Sequence, residues 1–128
     1  LSNGFLLDTT ILIDLFRGRR EAIIFLDQLT QEGSLYICPI VVAEIFSGIR
    51  SEEFPRVEEF FKAMNFCPIN YNTAKKAGTF RRHFQKRGIT LSISDTLIAA
   101  TAIDNTLTLV TKNVRHFPME ELDVIEHL

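Results

Sequence analysis

FLLDTTILIDLF, residues 5–16, is an apolar run broken by one carboxylate, Asp8, with two threonines directly behind it. Phe5, Leu6 and Leu7 have no polar side, and a strand of that kind belongs to a sheet covered on both faces. Thr9 or Thr10 is suited to cap a following helix, because a threonine hydroxyl accepts a hydrogen bond from an otherwise unpaired N–H. Asp8 therefore falls where a strand ends and a helix starts, the edge at which ligands bind in open α/β sheets. A charge placed straight after three apolar residues requires a partner.

The alternation continues along the chain. A second helix is expected over about 20–32, ending at Gly33, then a strand over Leu35 to Cys38. Pro39 opens a helix at a position where a missing N–H costs nothing. Its core stripe reads as Val42, Ile45, Phe46 and Ile49, with Glu44 beside Val41 and Gly48 on the neighbouring stripe. An amphipathic helix from Phe54 to Met64 precedes a brief strand at Phe66 to Ile69. Asn72 to Arg87 forms a long helix with Ala77, Phe80 and Phe84 inward and its basic residues outward, stopped by Gly88. Ser92 or Ser94 caps DTLIAATAID, which carries Asp95 in its first turn; TLVT (108–111) is a strand, and Val124 and Ile125 suit an edge strand. No repeat, low-complexity segment or long linker is present. Strands alternating with helices predict one α/β domain over residues 1–128, in three layers, with a central mostly parallel sheet of four to five short strands flanked by helices.

The chain has 128 residues, 46% of them hydrophobic and eleven of them phenylalanine, enough for one domain with a substantial core. No apolar run approaches the ~20 residues needed to cross a bilayer. No basic segment leads into an apolar stretch and a cleavage site, so secretion is not indicated. Cys38 and Cys67 lie in apolar YICPI and FCPI, without C-x-x-C spacing or paired histidines. They read as buried free thiols of a cytoplasmic protein rather than as a zinc site or disulfide. The net charge of −2 does not advertise a nucleic-acid binder, but basic runs at RGRR (17–20), KK (75–76), RRHFQKR (81–87) and KNVRH (112–116) offer a local track for phosphates.

Each acidic residue has an ordinary reading. Asp95 near a helix start suits the helix dipole and a capping role, Glu44 suits a helix surface, Asp14 reads as peripheral and solvent-facing, and Asp104 and Asp123 suit turns. Together they make a different case. In a parallel sheet the carboxyl end of the first strand and the amino ends of later helices converge on one rim, which takes in Asp8, Asp95 and the segment after TLVT. Carboxylates crowded there repel, so either their pKa values rise or a cation bridges them. Mg²⁺ or Mn²⁺, hard cations with oxygen ligands, are the natural choice. Such a site binds phosphates and activates water, which is the chemistry of phosphodiester hydrolysis.

DTTILIDLF, PIVVAEIFSGI around Glu44, SDTLIAATAI around Asp95 and LTLVTKNVRHF, in this order and at these distances, resemble the PIN-domain ribonucleases over nearly the whole chain. Within them the chain looks like the VapC-like toxins of bacterial and archaeal toxin–antitoxin pairs. The resemblance implies a PIN-like fold, with Asp8, Glu44 and Asp95 as acidic metal-site residues. The family's fourth acidic position falls on Asn113, whose amide can offer a carbonyl oxygen but no charge. Thr9, Ser94 and Thr111 match small hydroxyl positions that orient carboxylates or water. The resemblance further implies RNA cleavage to 5′-phosphate and 3′-hydroxyl ends, a small antitoxin laid across the acidic groove, and a homodimer. Arg17, Arg19, Arg20, Arg81, Arg82 and Lys112 are candidates for holding the RNA backbone. His116 reads as local structure with Phe117 as a core anchor, and His83 and His127 have no identifiable partner. The phenylalanines of FPRVEEFFKAM read as core rather than as interface.

Two rivals fail on residues. A phospho-acceptor receiver needs an aspartate after a middle strand, where YICPI and FCPIN have none, and a haloacid-dehalogenase-type phosphatase needs one where Thr10 stands. The alternative that survives is a PIN-like RNA- or protein-binding module of weak or absent catalysis, because of Asn113.

Overall fold

Phe5–Leu7 forms the first strand, β1, with all three side chains buried. It is a central strand, with β2 (Leu35–Ile37) on one edge and β4 (Thr108–Thr111) on the other, and its side chains are apolar because both faces of the sheet are covered there. β3 (Asn65–Phe66) lies beyond β2, and β5 (Val124–Glu126) beyond β4. All pairings are parallel, giving a five-stranded sheet in the order β3-β2-β1-β4-β5. The computed structural model of the chain describes residues 3–127. The expected domain span thus exceeds it by residues 1, 2 and 128, which lie outside the described residues.

Six helices connect and flank the strands: α1 (Thr9–Phe16), α2 (Arg20–Thr30), α3 (Pro39–Gly48), α4 (Phe54–Lys62), α5 (Tyr71–Lys86) and α6 (Ile93–Asp104). α1 packs on α2 and α3, while α5 lies along α6. With the right-handed crossovers that parallel strands adopt as a rule, this strand order puts α1 to α4 on one face of the sheet and α5 and α6 on the other, in keeping with the three layers expected. From β1 the chain builds outward to β2 and β3, then returns to β4 on the opposite side of β1. The carboxyl ends of β1 and β4 therefore flank the point where the winding direction reverses, the place at which open α/β sheets bind their ligands.

Local chemistry sets the element ends. Asn70 caps α5 by accepting the Thr73 N–H at 2.9 Å, and Gly88, at φ +82°, follows its end. Ser92, not Ser94, caps α6, its Oγ accepting the Asp95 N–H at 3.0 Å. Gly4 enters β1 at φ +148°, where a Cβ would meet the Ser34 carbonyl oxygen at 2.6 Å, so only glycine fits.

Some expectations need correction. Neither Thr9 nor Thr10 caps α1: Asp8 is the extended residue before the helix (φ −77°, ψ 158°), both threonines lie inside its first turn, and no side chain caps it. In α3 the fully buried positions are Val41 and Ile45, with Val42, Phe46 and Ile49 only half-buried. β3 is exposed and ends at Phe66, short of the expected Ile69; Pro68 has no N–H to continue a ladder. Cys38 and Cys67 are free and buried, and burial pushes the Cys38 thiol up to about 11. No helix of the described residues is long and apolar enough to cross a membrane.

Candidate functional site

Asp8 continues β1 by one residue, its N–H donating to the Val110 carbonyl of β4 at 2.9 Å. Its side chain is 4% exposed. Two hydroxyls converge on Oδ2, Thr10 at 2.9 Å and Thr111 at 2.7 Å. Each is aimed by a backbone amide: Lys112 N–H donates to Thr10 Oγ1 at 3.1 Å, and Asn113 N–H to Thr111 Oγ1 at 3.0 Å. A hydroxyl that accepts one N–H has its own proton left to give, so the turn after β4 and the first turn of α1 jointly hold this carboxylate. No described residue donates to Oδ1. Since no buried side-chain oxygen or nitrogen among the described residues lacks a partner, Oδ1 is open to solvent.

Glu44 and Asp95 arrive from α3 and α6, which also touch each other. Thr9 Oγ1 donates to Glu44 Oε1 at 2.6 Å, tying α3 to α1 beside Asp8. Asp95 is half-buried in the first turn of α6. Burial raises its carboxyl above the usual range, and the charges of Asp8 and Glu44 push the same way, against the Ser92 hydrogen bond and His116. The structure thus brings Asp8, Glu44 and Asp95 into one electrostatic neighbourhood. His116 Nδ1 lies 3.5 Å from Asp95 Oδ2.

The remaining sequence candidates divide. Thr111 is fully buried against Asp8, Thr9 holds Glu44, and Ser94 is half-buried one residue before Asp95 with no hydrogen bond from its hydroxyl among the described residues. Asn113 starts the 3-10 turn Val114–His116 with its side chain exposed. Arg17, Arg20 and Arg82 are exposed. Arg19, Arg81 and Lys112 are engaged within the fold: Arg81 donates to the Leu91 carbonyl at 3.0 Å, and the other two grip Asp14.

Asp14 is not solvent-facing. It is 8% exposed, with Arg19 Nε 3.3 Å from Oδ1 and Lys112 Nζ hydrogen-bonded to Oδ2. Lys112 is thereby held at both ends, its amide on Thr10 and its ammonium on Asp14, which sits one helical turn along α1. Sequence reading missed Asp14 and Thr10 as site supports; the four-residue spacing on a helix opening beside the site was the available signal. His127 has a partner after all, stacked on Phe25 at 4.2 Å, and His83 lies edge-on to Phe84 at 5.2 Å.

Carboxylate oxygens, an amide and hydroxyls are the donor chemistry of a hard cation. The open Oδ1 of Asp8 and the raised carboxyl of Asp95, buried and facing the charges of Asp8 and Glu44, both fit such an ion. In their present positions, with Glu44 drawn to Thr9 and Asp95 near His116, no three His, Cys, Asp or Glu side chains among the described residues cluster tightly enough to hold one.

Comparison with known proteins agrees with this architecture. The PIN domain family profile matches residues 5–121. Ribonuclease VapC19 of Mycobacterium tuberculosis is 36% identical over 115 residues, 89% of this chain and 92% of that protein. Ribonuclease VapC10 of the same organism is 34% identical over 116 residues, 91% and 87% of the two chains. Among solved structures, a toxin–antitoxin complex from Klebsiella pneumoniae is 28% identical with a TM-score of 0.78, covering 95% of this chain and 96% of that one. VapBC2 from Rickettsia felis, bound to a DNA fragment from its promoter, superposes with a TM-score of 0.84 over 97% and 98% of the chains; at 22% identity it speaks to the fold alone.

Proposed function

The chain belongs to the PIN-domain family, and from that premise we propose that it is a VapC-type endoribonuclease, dependent on Mg²⁺ or Mn²⁺ and restrained by a cognate antitoxin. The observation that carries the reading is the placement of Asp8: a carboxylate at the reversal point of a parallel sheet, aimed by two hydroxyls, close enough to Asp95 and Glu44 for their charges to be felt. The named relatives support the reaction class.

In this reading Asp8 and Asp95 hold the cation, Glu44 completes the pocket, and Asn113 is a weak, uncharged contributor. When bound, the cation neutralises charge on the scissile phosphate and makes water a stronger nucleophile. The chain's own residues do the rest. Thr10 and Thr111 keep Asp8 pointed, so that its geometry is set before substrate arrives. Thr9 steadies Glu44 at the mouth. Asp95, raised toward its protonated form by burial and further by the charges of Asp8 and Glu44, is favoured in its charged form by a positive ion. The exposed Arg17, Arg20 and Arg82 are free to meet the RNA backbone, whereas Arg19, Arg81 and Lys112 already have internal partners. The same family reading carries a homodimer in the cytoplasm.

Purified protein is expected to cleave RNA in Mg²⁺ or Mn²⁺, to stop in EDTA, and to lose cleavage in both Asp8→Asn and Asp95→Asn while remaining folded by circular dichroism. Cleavage that survives both substitutions would remove the acidic rim from the mechanism. A folded wild type that binds RNA with no cleavage in either metal would favour the non-catalytic binding module that Asn113 keeps in play.

A further inference from the structure

We propose that the cavity beside Glu44 is a subsite for one unpaired nucleobase of the substrate RNA, an inference that rests on the ribonuclease reading above. The cavity, about 170 Å³, lies between α1, α3 and the turn that follows α3; Ile13, Phe16, Ile45 and Ile49 line it with apolar surface, and Arg17, Glu44 and Glu53 bring charged groups to it, Glu53 already paired with Arg50 and Arg56. Glu44 belongs to both the acidic rim and the cavity, so a base seated there lies one side chain from the phosphodiester chemistry. Single-stranded bases are recognised by flat apolar contact on their faces and hydrogen bonds at their edges. A mostly apolar cavity with a few polar groups offers both.

Three observations favour a base. Phe16 brings an aromatic ring to the wall and is packed against two others, meeting Phe60 at 5.2 Å and Phe61 at 6.0 Å, both near perpendicular. Arg17 lines the cavity, and whereas Arg19 pairs with Asp14, and Arg50 and Arg56 with Glu53, Arg17 makes no ion pair among the described residues. Its guanidinium is available to the phosphate that accompanies the base, or to an acceptor on the base edge. Finally, Gly48 also lines the cavity, and a Cβ built there meets no atom within 4 Å. A larger side chain at residue 48 thus has open space to enter at the cavity without displacing a neighbour, and no close approach of the backbone demands glycine.

Gly48 also supplies the test. Wild type, Gly48→Ala and Gly48→Leu are compared on short single-stranded RNAs of mixed sequence, identical except for an abasic residue moved through the positions around the cut. Binding is read by fluorescence anisotropy in Ca²⁺, cleavage in Mg²⁺, and folding by thermal melts. Removing the base at one position is expected to weaken wild-type binding at least about fivefold, the lower bound of a base–aromatic contact. Gly48→Leu should bind intact RNA as weakly as wild type binds that abasic RNA, with no further loss on the abasic one, and Gly48→Ala should fall between. Abasic substitutions without effect on wild type, undiminished discrimination in a folded Gly48→Leu, or no measurable binding to any RNA would each overturn the subsite. So would a Gly48→Leu defect confined to binding of a co-expressed antitoxin, which would make the occupant a protein side chain. Discrimination in binding without any wild-type cleavage would instead overturn the nuclease reading and leave the subsite standing.

Discussion

The Thr111 hydroxyl is shared between two partners, accepting from Asn113 N–H at 3.0 Å and donating to Asp8 at 2.7 Å. Thr111→Val keeps the shape and removes both bonds, leaving a backbone donor without its acceptor and Asp8 with Thr10 alone. The expected cost is about 1–3 kcal/mol in urea unfolding. If Asp8 holds the cation as proposed, RNA cleavage is expected to drop about 10–100-fold on losing this support, and Thr111→Ser should restore most of both. Asp14 makes a second prediction. Its carboxylate is 11% exposed and bonded to cations on two elements, so Asp14→Ala strands Lys112 and should cost about 1.5–3 kcal/mol. Because the Lys112 ammonium is already engaged, Lys112→Met should destabilise the fold yet leave the salt dependence of RNA binding unchanged, which titrations at several ionic strengths would show. A shallower salt slope would instead make it a phosphate contact.

Between residues and the fold lies the way each element delivers its side chain. β1 is only three residues long, yet its register is pinned from both ends: Gly4 precedes it in a conformation other residues avoid, and Asp8 closes it onto β4. Gly4→Ala is expected to cost about 1–3 kcal/mol through strain and the 2.6 Å clash with Ser34, read as a lowered Tm. The threonines behind Asp8 were legible as helix-start residues but not in their actual roles. A helix beginning at Thr9 turns the first hydroxyl toward Glu44 and the second back to Asp8, and which residue starts the helix differs by one position from the sequence reading. In α3 the buried stripe shares Ile45 with the expected one but runs through Val41 in place of Val42, Phe46 and Ile49. With apolar residues on most of a short helix, periodicity alone does not say which stripe faces the sheet.

The electrostatics of the assembled rim bear on overall stability. Asp95 has a carboxyl raised above its ordinary value by burial and by Asp8 and Glu44. For a raised acid, stability is fully present below the unfolded pKa, about 3.9, and is lost as pH rises through the folded value. Without metal, Asp95→Asn should therefore melt higher than wild type at pH 7, and the difference should vanish in acid below that window. Adding Mg²⁺ should raise the Tm of wild type more than that of the variant, because only a binder of the native state stabilises it. An unchanged Tm for Asp95→Asn at neutral pH would mean that neither burial nor the neighbouring carboxylates disfavour a charged Asp95. The sequence alone determined the alternation of strands and helices, the apolar β1, the buried thiols and the family, because all of these are written in local pattern: hydrophobic runs, caps and motif spacing. Only the tertiary structure decided that Asp14 is buried and doubly paired, that Lys112 is anchored within the fold, that Thr10 and Thr111 meet on one oxygen, and that a cavity opens beside Glu44. Those are contacts between residues as far as 103 apart, and their geometry depends on how helices settle on the sheet, a degree of freedom that no local pattern encodes.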